Sequence, residues 1–562
     1  MSYLRRRFFD ARGSREAPRR PPPSHRHNGP SAPWPWINLH DEIDQVQLDS
    51  PAPPIPEPCD HKTCEGQCWK EYPQSRFPNW TPSQVRRSRI HRAITEHNKT
   101  APSTIYHVDV DSNGFFTDSG TYVITDDTKE DFWNALVNDD SQRPTNNRVR
   151  AMFIEHLSGP VLMMLGAKYN IEPFFFSSSL GWIPSRYEEE VRPGQGDHIT
   201  ITLTFLRPMD HPEGSLHTYP SDSSTMTSLP DLQGQVIDTQ APLFLHSSDI
   251  YLILDLLAVH LIRSTDGNTI ISYHNPEADT TSATYLHERI RFAGQSVYWQ
   301  KIFQQSPDPT FVLLTFIWHA MYAWDESLEL LYSHICYIET QVINTSDLHL
   351  TRELHIIRAH HLHYSALLED FRKAVDFVLN TPNPAMDSLP EEERDSSRRL
   401  LQRECKNLLS EINRLEQGRA MQDKRLRNVL NLVFSSVNIE DSKRMRQLTE
   451  AAVRDSAAMK QIAFLSMVFL PASFVAAIFS MNIREIAPGT HGSLSHYFET
   501  AFPLTIVTVW VVMAFQSKHM LGQDATLFMR IFWPVTMLQQ MARKRREASQ
   551  KLNAPKWDDF KG

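Results

Sequence analysis

Two groups of residues have the types and spacing to do chemistry. The first lies in 461–483, QIAFLSMVFLPASFVAAIFSMNI, an apolar run without a charged side chain until its end. Counted by helical turns from Met459, residues Ala463, Ser466, Leu470, Ser473, Ala477 and Ser480 share one stripe, with Ile462 beside it. Phe464, Val468, Val475 and Phe479 fall on the opposite side. A small, hydroxylated stripe against a bulky one suits a helix with protein or water on one side and lipid on the other. Close helix–helix packing and the lining of a pore both satisfy that pattern. Met481 and Asn482 follow directly, and an asparagine there serves either as a helix cap or as a neutral oxygen at a pore mouth. The second group is Cys59, His61, Cys64 and Cys68, which offers four ligands for a tetrahedral zinc ion. The competing reading is a loop with free thiols.

The first group needs a membrane element to position it. At about 1.5 Å per residue, 461–483 is long enough for a hydrocarbon core of about 30 Å. A second apolar run, 501–515, extends with its flanks to 498–516 and reads as a second crossing. The two form an expected helical hairpin with a loop at 484–497 and a basic tail at 517–562. Arg444, Arg446, Arg454 and Lys460 precede the first run, and Lys518, Arg530 and the Arg543–Arg546 cluster follow the second. This bias places both termini on the cytosolic (or matrix) side. Upstream, 391–460 reads as a stalk helix. Phe434, Asp441, Met445, Leu448, Ala452 and Met459 carry the stripe back at coiled-coil spacing. Asp441 and Asp455 lie at or near it, where a cation leaving a pore would meet them; each also reads as a solvated surface acid.

The rest of the chain reads as a large polar body. Residues 1–100 are expected to be a disordered Pro-rich arm, because the prolines between 18 and 58 break any regular helix. The first twenty residues mix arginines with Asp10 and Glu16 and read as a basic tail rather than a presequence. Residues 101–308 alternate between strand and helix signals and form an α/β domain. In 198–207, Ile199, Ile201, Leu203 and Phe205 face one way and threonines the other, the mark of a half-buried strand. Asp266-Gly267 marks a hairpin, and Phe174, Phe175, Phe176 and Trp182 read as core. Residues 309–390 carry two long antiparallel helices. His355, His360, His361 and His363 on the second read as residues of a solvated helix rather than metal ligands.

Composition excludes several classes. The net charge of −9 is no nucleic-acid signature. Five cysteines are too few, and odd in number, for a disulfide framework, and they suit a reducing compartment. There is no phosphate-binding loop, HExxH, Gly-x-Ser-x-Gly or dinucleotide fingerprint, so the chain reads as no enzyme, without a cofactor, and as a passive or gradient-coupled path rather than a pump.

The end of the first run resembles the first transmembrane helix of CorA-type divalent-metal transporters. That family closes this helix with an aromatic residue and Gly-Met-Asn, and carries a proline a little over two turns earlier. Phe479, Met481, Asn482 and Pro471 match, and Ser480 stands in place of the glycine. The resemblance implies a homopentamer whose pore-lining helix continues the stalk, with Mg²⁺ the leading transported ion. It implies that Ser480, Met481 and Asn482 meet the ion, and that Met459, Ile462, Ala463, Ser466, Leu470, Ser473 and Ala477 line the path. Mg²⁺ sheds its waters reluctantly, so neutral hydroxyl and amide oxygens suit it better than a carboxylate cage. Met459, Leu470 and Ile462 are expected to form dry rings that gate by dewetting. The implied partners are lipid, divalent cations and copies of the chain, in the plasma membrane rather than the mitochondrial inner or vacuolar membrane. The alternatives are a carrier of zinc or another divalent ion, and a membrane-anchored sensor or scaffold with an inert pore.

Overall fold

The computed structural model describes residues 45–51, 59–78, 80, 82–97, 101–138, 143–192, 196–210, 237–265, 267–274, 283–344, 348–480 and 494–516, with a few positions between 532 and 546. It divides into two units, 1–435 and 436–562.

The first unit is built on one mixed sheet. Its strands are β1 (Ser103–Asp111), β2 (Phe116–Ile124), β3 (Asn147–Glu155), β4 (Ser185–Arg192), β5 (Gly196–Asp210), β6 (Leu243–Leu245), β7 (Ile250–Ser264) and β8 (Asn268–His274). They run in the order β2-β1-β3-β8-β7-β5-β4, with β6 on β7. All pairs are antiparallel except β3 with β8. Strands β7 and β8, on either side of the hairpin expected at Asp266-Gly267, pair antiparallel with Leu261 opposite Ile270, and Asp266 itself lies outside the described residues. Period-two alternation lets each strand serve two faces. On β3, Met152 and Ile154 enter one core. Phe153 points the other way and stacks on Phe316 at 5.6 Å.

Strand β5 departs from its expected half-burial. Thr200 and Thr202 are fully buried, as are Ile199 and Ile201. Both faces of the sheet are covered, and on the threonine face Thr200 Oγ1 lies 2.8 Å from His260 Nδ1, while the buried Thr202 and Thr204 hydroxyls have no hydrogen-bond partner among the described residues. Alternation records the difference between the faces, not which of them sees water.

The first face is covered by short helices: α1 (Gln67–Lys70), α2 (Pro82–Arg87), α3 (Arg89–Thr95), α4 (Lys129–Val137), α5 (Gly159–Lys168) and α6 (Phe174–Gly181). The expectation of a disordered arm over 1–100 therefore fails for 59–97. Trp69, Tyr72, Trp80 and Ile90 are buried in the same core as Phe174, Phe175, Phe176 and Trp182. Tyr72 donates to the Ile171 carbonyl at 2.8 Å. Four large apolar side chains within a Pro-rich composition supply enough buried surface to order the segment.

The second face carries α7 (Ala283–Ala293), α8 (Val297–Gln305) and the long helices α9 (Thr310–Asn344) and α10 (Leu348–Asn380). The helix α11 runs Glu391–Ser480. Leu401, Cys405, Leu408, Ile412, Leu415, Gln422, Leu426, Val429 and Val433 are buried along it. Their spacing alternates between four and three, with one step of seven, the seam by which a helix packs along others. Two of the four histidines expected on a solvated face of α10 are interior instead, whereas His355 is exposed and His363 half-buried. His360 and His361 are buried. His361 accepts from Arg419 at 3.4 Å and meets Gln422 Oε1 at 3.4 Å, while Gln422 donates to the Leu328 carbonyl at 2.8 Å.

In the second unit, the C-terminal part of α11 contains the apolar run and Pro471, and α12 (Leu494–Gln516) contains Pro503. Among the described residues one helix is long and apolar enough to cross a membrane, with a mean hydropathy of 2.0 over its best window, of which 11% is buried. A core helix would hide such a window; here it faces outward. The apolar part of α12, Phe498–Val512, is shorter than a full crossing.

Candidate ion pathway

The candidate pathway is the stripe along the C-terminal part of α11. Met459, Ile462 and Leu470 are 70%, 64% and 68% exposed within one chain, and Ala463, Ser466, Ser473, Ala477 and Ser480 are exposed with them. Exposure of so many large apolar groups at regular spacing demands a cover that the described residues do not supply. Upstream, Phe434, Met445, Leu448 and Asp441 are also exposed, as is Asp455.

The second unit does bury another face of α11. Among its described residues, Pro471, Val475 and Ala501 are buried. At about 100° per residue, Pro471 and Val475 lie roughly 120–160° round the helix from Met459. Of the bulky side Val475 packs within the chain while Phe464 and Val468 stay exposed, and the small and hydroxylated stripe is open among the described residues.

Two hydroxyls on the stripe have their hydrogens committed. Ser473 donates to the Leu470 carbonyl at 2.9 Å and Ser480 to the Ala477 carbonyl at 2.8 Å. With the hydrogen turned back to the helix, each oxygen keeps lone pairs for an outside donor. The water shell of a cation presents its hydrogens outward, so such oxygens accept from it. Met481 and Asn482 lie outside the described residues.

Cys59, His61, Cys64 and Cys68 converge in the first unit, with their ligand atoms all within 4.8 Å of one another. His355 and His360 do not form a comparable group, and burial pushes His360 and His361 down to about 4, which keeps them neutral. Sequence patterning missed the polar groups inside the sheet. Asp197 with Arg263 and Asp109 with Arg150 are buried bidentate pairs. Charged residues inside a strand alternation are the signal that was available for them.

Residues 248–516 match the model of the family described as CorA-like Mg²⁺ transporter protein. No curated protein matches the chain. Among solved structures, the complete CorA magnesium transporter of Methanocaldococcus jannaschii is similar at 13% identity and a TM-score of 0.37, covering 72% of this chain and 95% of its own. The soluble domain of CorA from the same organism aligns at 12% identity and a TM-score of 0.35, over 59% of this chain and 96% of its own. The full-length CmaX protein aligns at 10% identity and a TM-score of 0.31, over 73% and 97%. The stretch from just before β7 to the end of α12, residues 248–516, is thus the part of the chain that is similar to the CorA-like Mg²⁺ transporter family.

Proposed function

We propose that this protein is a homopentameric channel or transporter for divalent cations, with Mg²⁺ the leading ion and the plasma membrane its site. The observation that carries the reading is the open stripe on α11, where Ser473 and Ser480 turn lone pairs outward and Met459 and Leu470 stand uncovered. Five copies facing an axis would cover the apolar members and leave a column of neutral oxygens for a hydrated ion. An acid within the crossing would trap the ion and be costly in lipid, and 461–483 contains none. The second crossing would be α12 with its flanks, returning the tail to the side of the large N-terminal body. Asn482, at the mouth, would accept from the ion's waters, with Ser480 and Met481 shaping the turn. Asp441 and Asp455 would receive the ion along the stalk.

Ser480, in the place of the family's glycine, favours a second reading: a membrane-anchored sensor or scaffold with an inert pore. One experiment separates the two. The full-length chain is reconstituted into vesicles containing a Mg²⁺-sensitive dye, and the mass of the solubilised assembly is taken by light scattering. The pore reading expects Mg²⁺ entry, its loss in Asn482→Ala, and an unchanged pentameric mass. Absence of flux from the parent protein, or parent-like uptake by Asn482→Ala, defeats it.

A further inference from the structure

We propose that Cys59, His61, Cys64 and Cys68 form a structural zinc site that staples 59–97 to the α/β domain. The site lies outside residues 248–516 and is independent of the transport reading.

Distances support it. Cys64 Sγ and Cys68 Sγ are 3.5 Å apart, and Cys68 Sγ is 3.5 Å from His61 Nδ1. Around tetrahedral zinc, with bonds of about 2.3 Å to sulfur and about 2.0–2.1 Å to nitrogen, two sulfurs stand roughly 3.8 Å apart and a sulfur and a nitrogen roughly 3.6 Å. With all four ligand atoms inside 4.8 Å, side-chain rotations of less than an ångström or so close the tetrahedron. A chance group of thiols has no reason to include a fourth ligand of the right kind at the right range.

The surroundings are those a zinc–thiolate centre needs. The carbonyl of Lys168 hydrogen-bonds the His61 ring, while Nδ1 is the nitrogen turned to Cys68. With Nδ1 facing Cys68, the tautomer that carries its proton on Nε2 would present the Nδ1 lone pair to a metal. The backbone N–H of His61 donates to Cys59 Sγ at 3.3 Å, and the N–H groups of Gly66 and Cys68 are directed to Cys64. Such donors stabilise thiolates. Three thiolates with Zn²⁺ leave a net charge of −1, and Lys168 and Arg76 stand close enough to His61 to offset it.

The backbone is shaped for convergence. His61 and Glu65 take left-handed conformations at φ 56° and 47°, and Gly66 does so at 78°. A Cβ on Gly66 would fall 2.7 Å from the Trp69 indole nitrogen, so glycine is required there. Non-glycine residues in this region are strained and persist where their surroundings hold them. Here the support comes from the core: Trp69 is buried, His61 meets Trp133 edge-on at 5.3 Å, and Ser75 donates to the Cys68 carbonyl. Zinc would close the N-terminal end of the segment that Tyr72, Trp80 and Ile90 anchor further along.

The test uses the full chain, purified in detergent with reductant and without chelator. Elemental analysis should find about one zinc per chain. Exchange for Co²⁺ should give the strong visible bands and thiolate charge-transfer absorption of a tetrahedral S₃N site. Cys59→Ser should lose most of the zinc, whereas Cys59→His, which keeps a ligand, should retain it. Cys336→Ser, outside the cluster, should change nothing. Circular dichroism keeps the comparison to folded variants. Stripping the metal should expose the 59–97 segment to protease at least tenfold faster. A parent protein that carries no zinc and gives no cobalt–thiolate absorption overturns the site. So does a Cys64–Cys68 disulfide in protein made in a reducing cytosol, or full zinc retention by Cys59→Ser with Cys64→Ser.

Discussion

Removing the carboxylate of Asp197 should be among the most damaging single changes to the α/β domain. Asp197 and Arg263 are both fully buried, on β5 and β7. Arg263 Nε donates to Asp197 Oδ1 at 2.6 Å, and Nη2 donates to Oδ2. Nη1 donates to Thr310 Oγ1 and to the Thr381 carbonyl, both at 3.2 Å, and Nη2 also reaches the Pro382 carbonyl at 3.3 Å. All five N–H groups of the guanidinium thus have acceptors, and they tie the sheet to the start of α9 and the end of α10. Asp197→Ala removes two of these bonds and the counter-charge, but leaves the cation in place. Breaking one partner of a buried pair costs about 3–5 kcal/mol, which is two to four powers of ten in the folding equilibrium. Urea unfolding of the detergent-solubilised full chain, followed by tryptophan fluorescence, should show the midpoint falling by roughly 1 M or more. Replacing both partners with apolar residues, Asp197→Leu with Arg263→Met, should recover most of the loss, because no charge is left stranded. A single variant within about 0.5 M of the parent, or a double variant no better than the single, would refute this reasoning.

Two further expectations concern the same domain. Burial, aided by the neighbouring Glu189 charge, pushes Glu172 up to about 8, and burial pushes Glu189 up to about 7. Both carboxyls hold protons in the folded state that they release when unfolded, so their contribution to stability declines as pH rises from the ordinary carboxylate range through about 8. Burial holds His198, His360 and His361 down at about 4, so their part is lost as pH falls from about 6.5 towards 4. The thermal midpoint should therefore fall on either side of a near-neutral maximum, and Glu172→Gln should flatten the alkaline limb; an unchanged alkaline limb in that variant counts against the assignment. The second expectation is at Gly166, where a Cβ would fall 2.6 and 2.7 Å from the Cε atoms of Tyr72 and closer still to Cζ. Tyr72 is buried and held by Ile171, so Gly166→Ala should cost about 1–3 kcal/mol in crowding, more than its gain in helix propensity, and should speed proteolysis within 59–97 several-fold. Parent-like protection of that segment would show that it is not docked through Tyr72.

What the amino-acid sequence determined by itself lies within single elements. An uncharged apolar run declares its length and hydropathy without reference to any other part of the chain, and so 461–480 is legible as a helix suited to a membrane. The small stripe from Ala463 to Ser480 is likewise a matter of helical spacing, and Asp266-Gly267 needs no more than its two flanking strands. Tertiary structure decided what is covered. Thr200 and Thr202 alternate as an exposed face would, yet a second layer closes over them. His360 and His361 look solvated in a polar helix, yet both are interior, His361 against Arg419 and Gln422 of α11. The segment from Cys59 to His97 reads as an arm because its prolines and charges dominate the composition. Four large side chains, Trp69, Tyr72, Trp80 and Ile90, are enough to seat it on strands and helices far along the chain. Asp197 and Arg263 are 66 residues apart, and the register of β5 against β7 alone makes them partners. Local signals report what a residue prefers; burial and pairing depend on which distant surfaces arrive beside it, and that follows from the packing of the whole sheet.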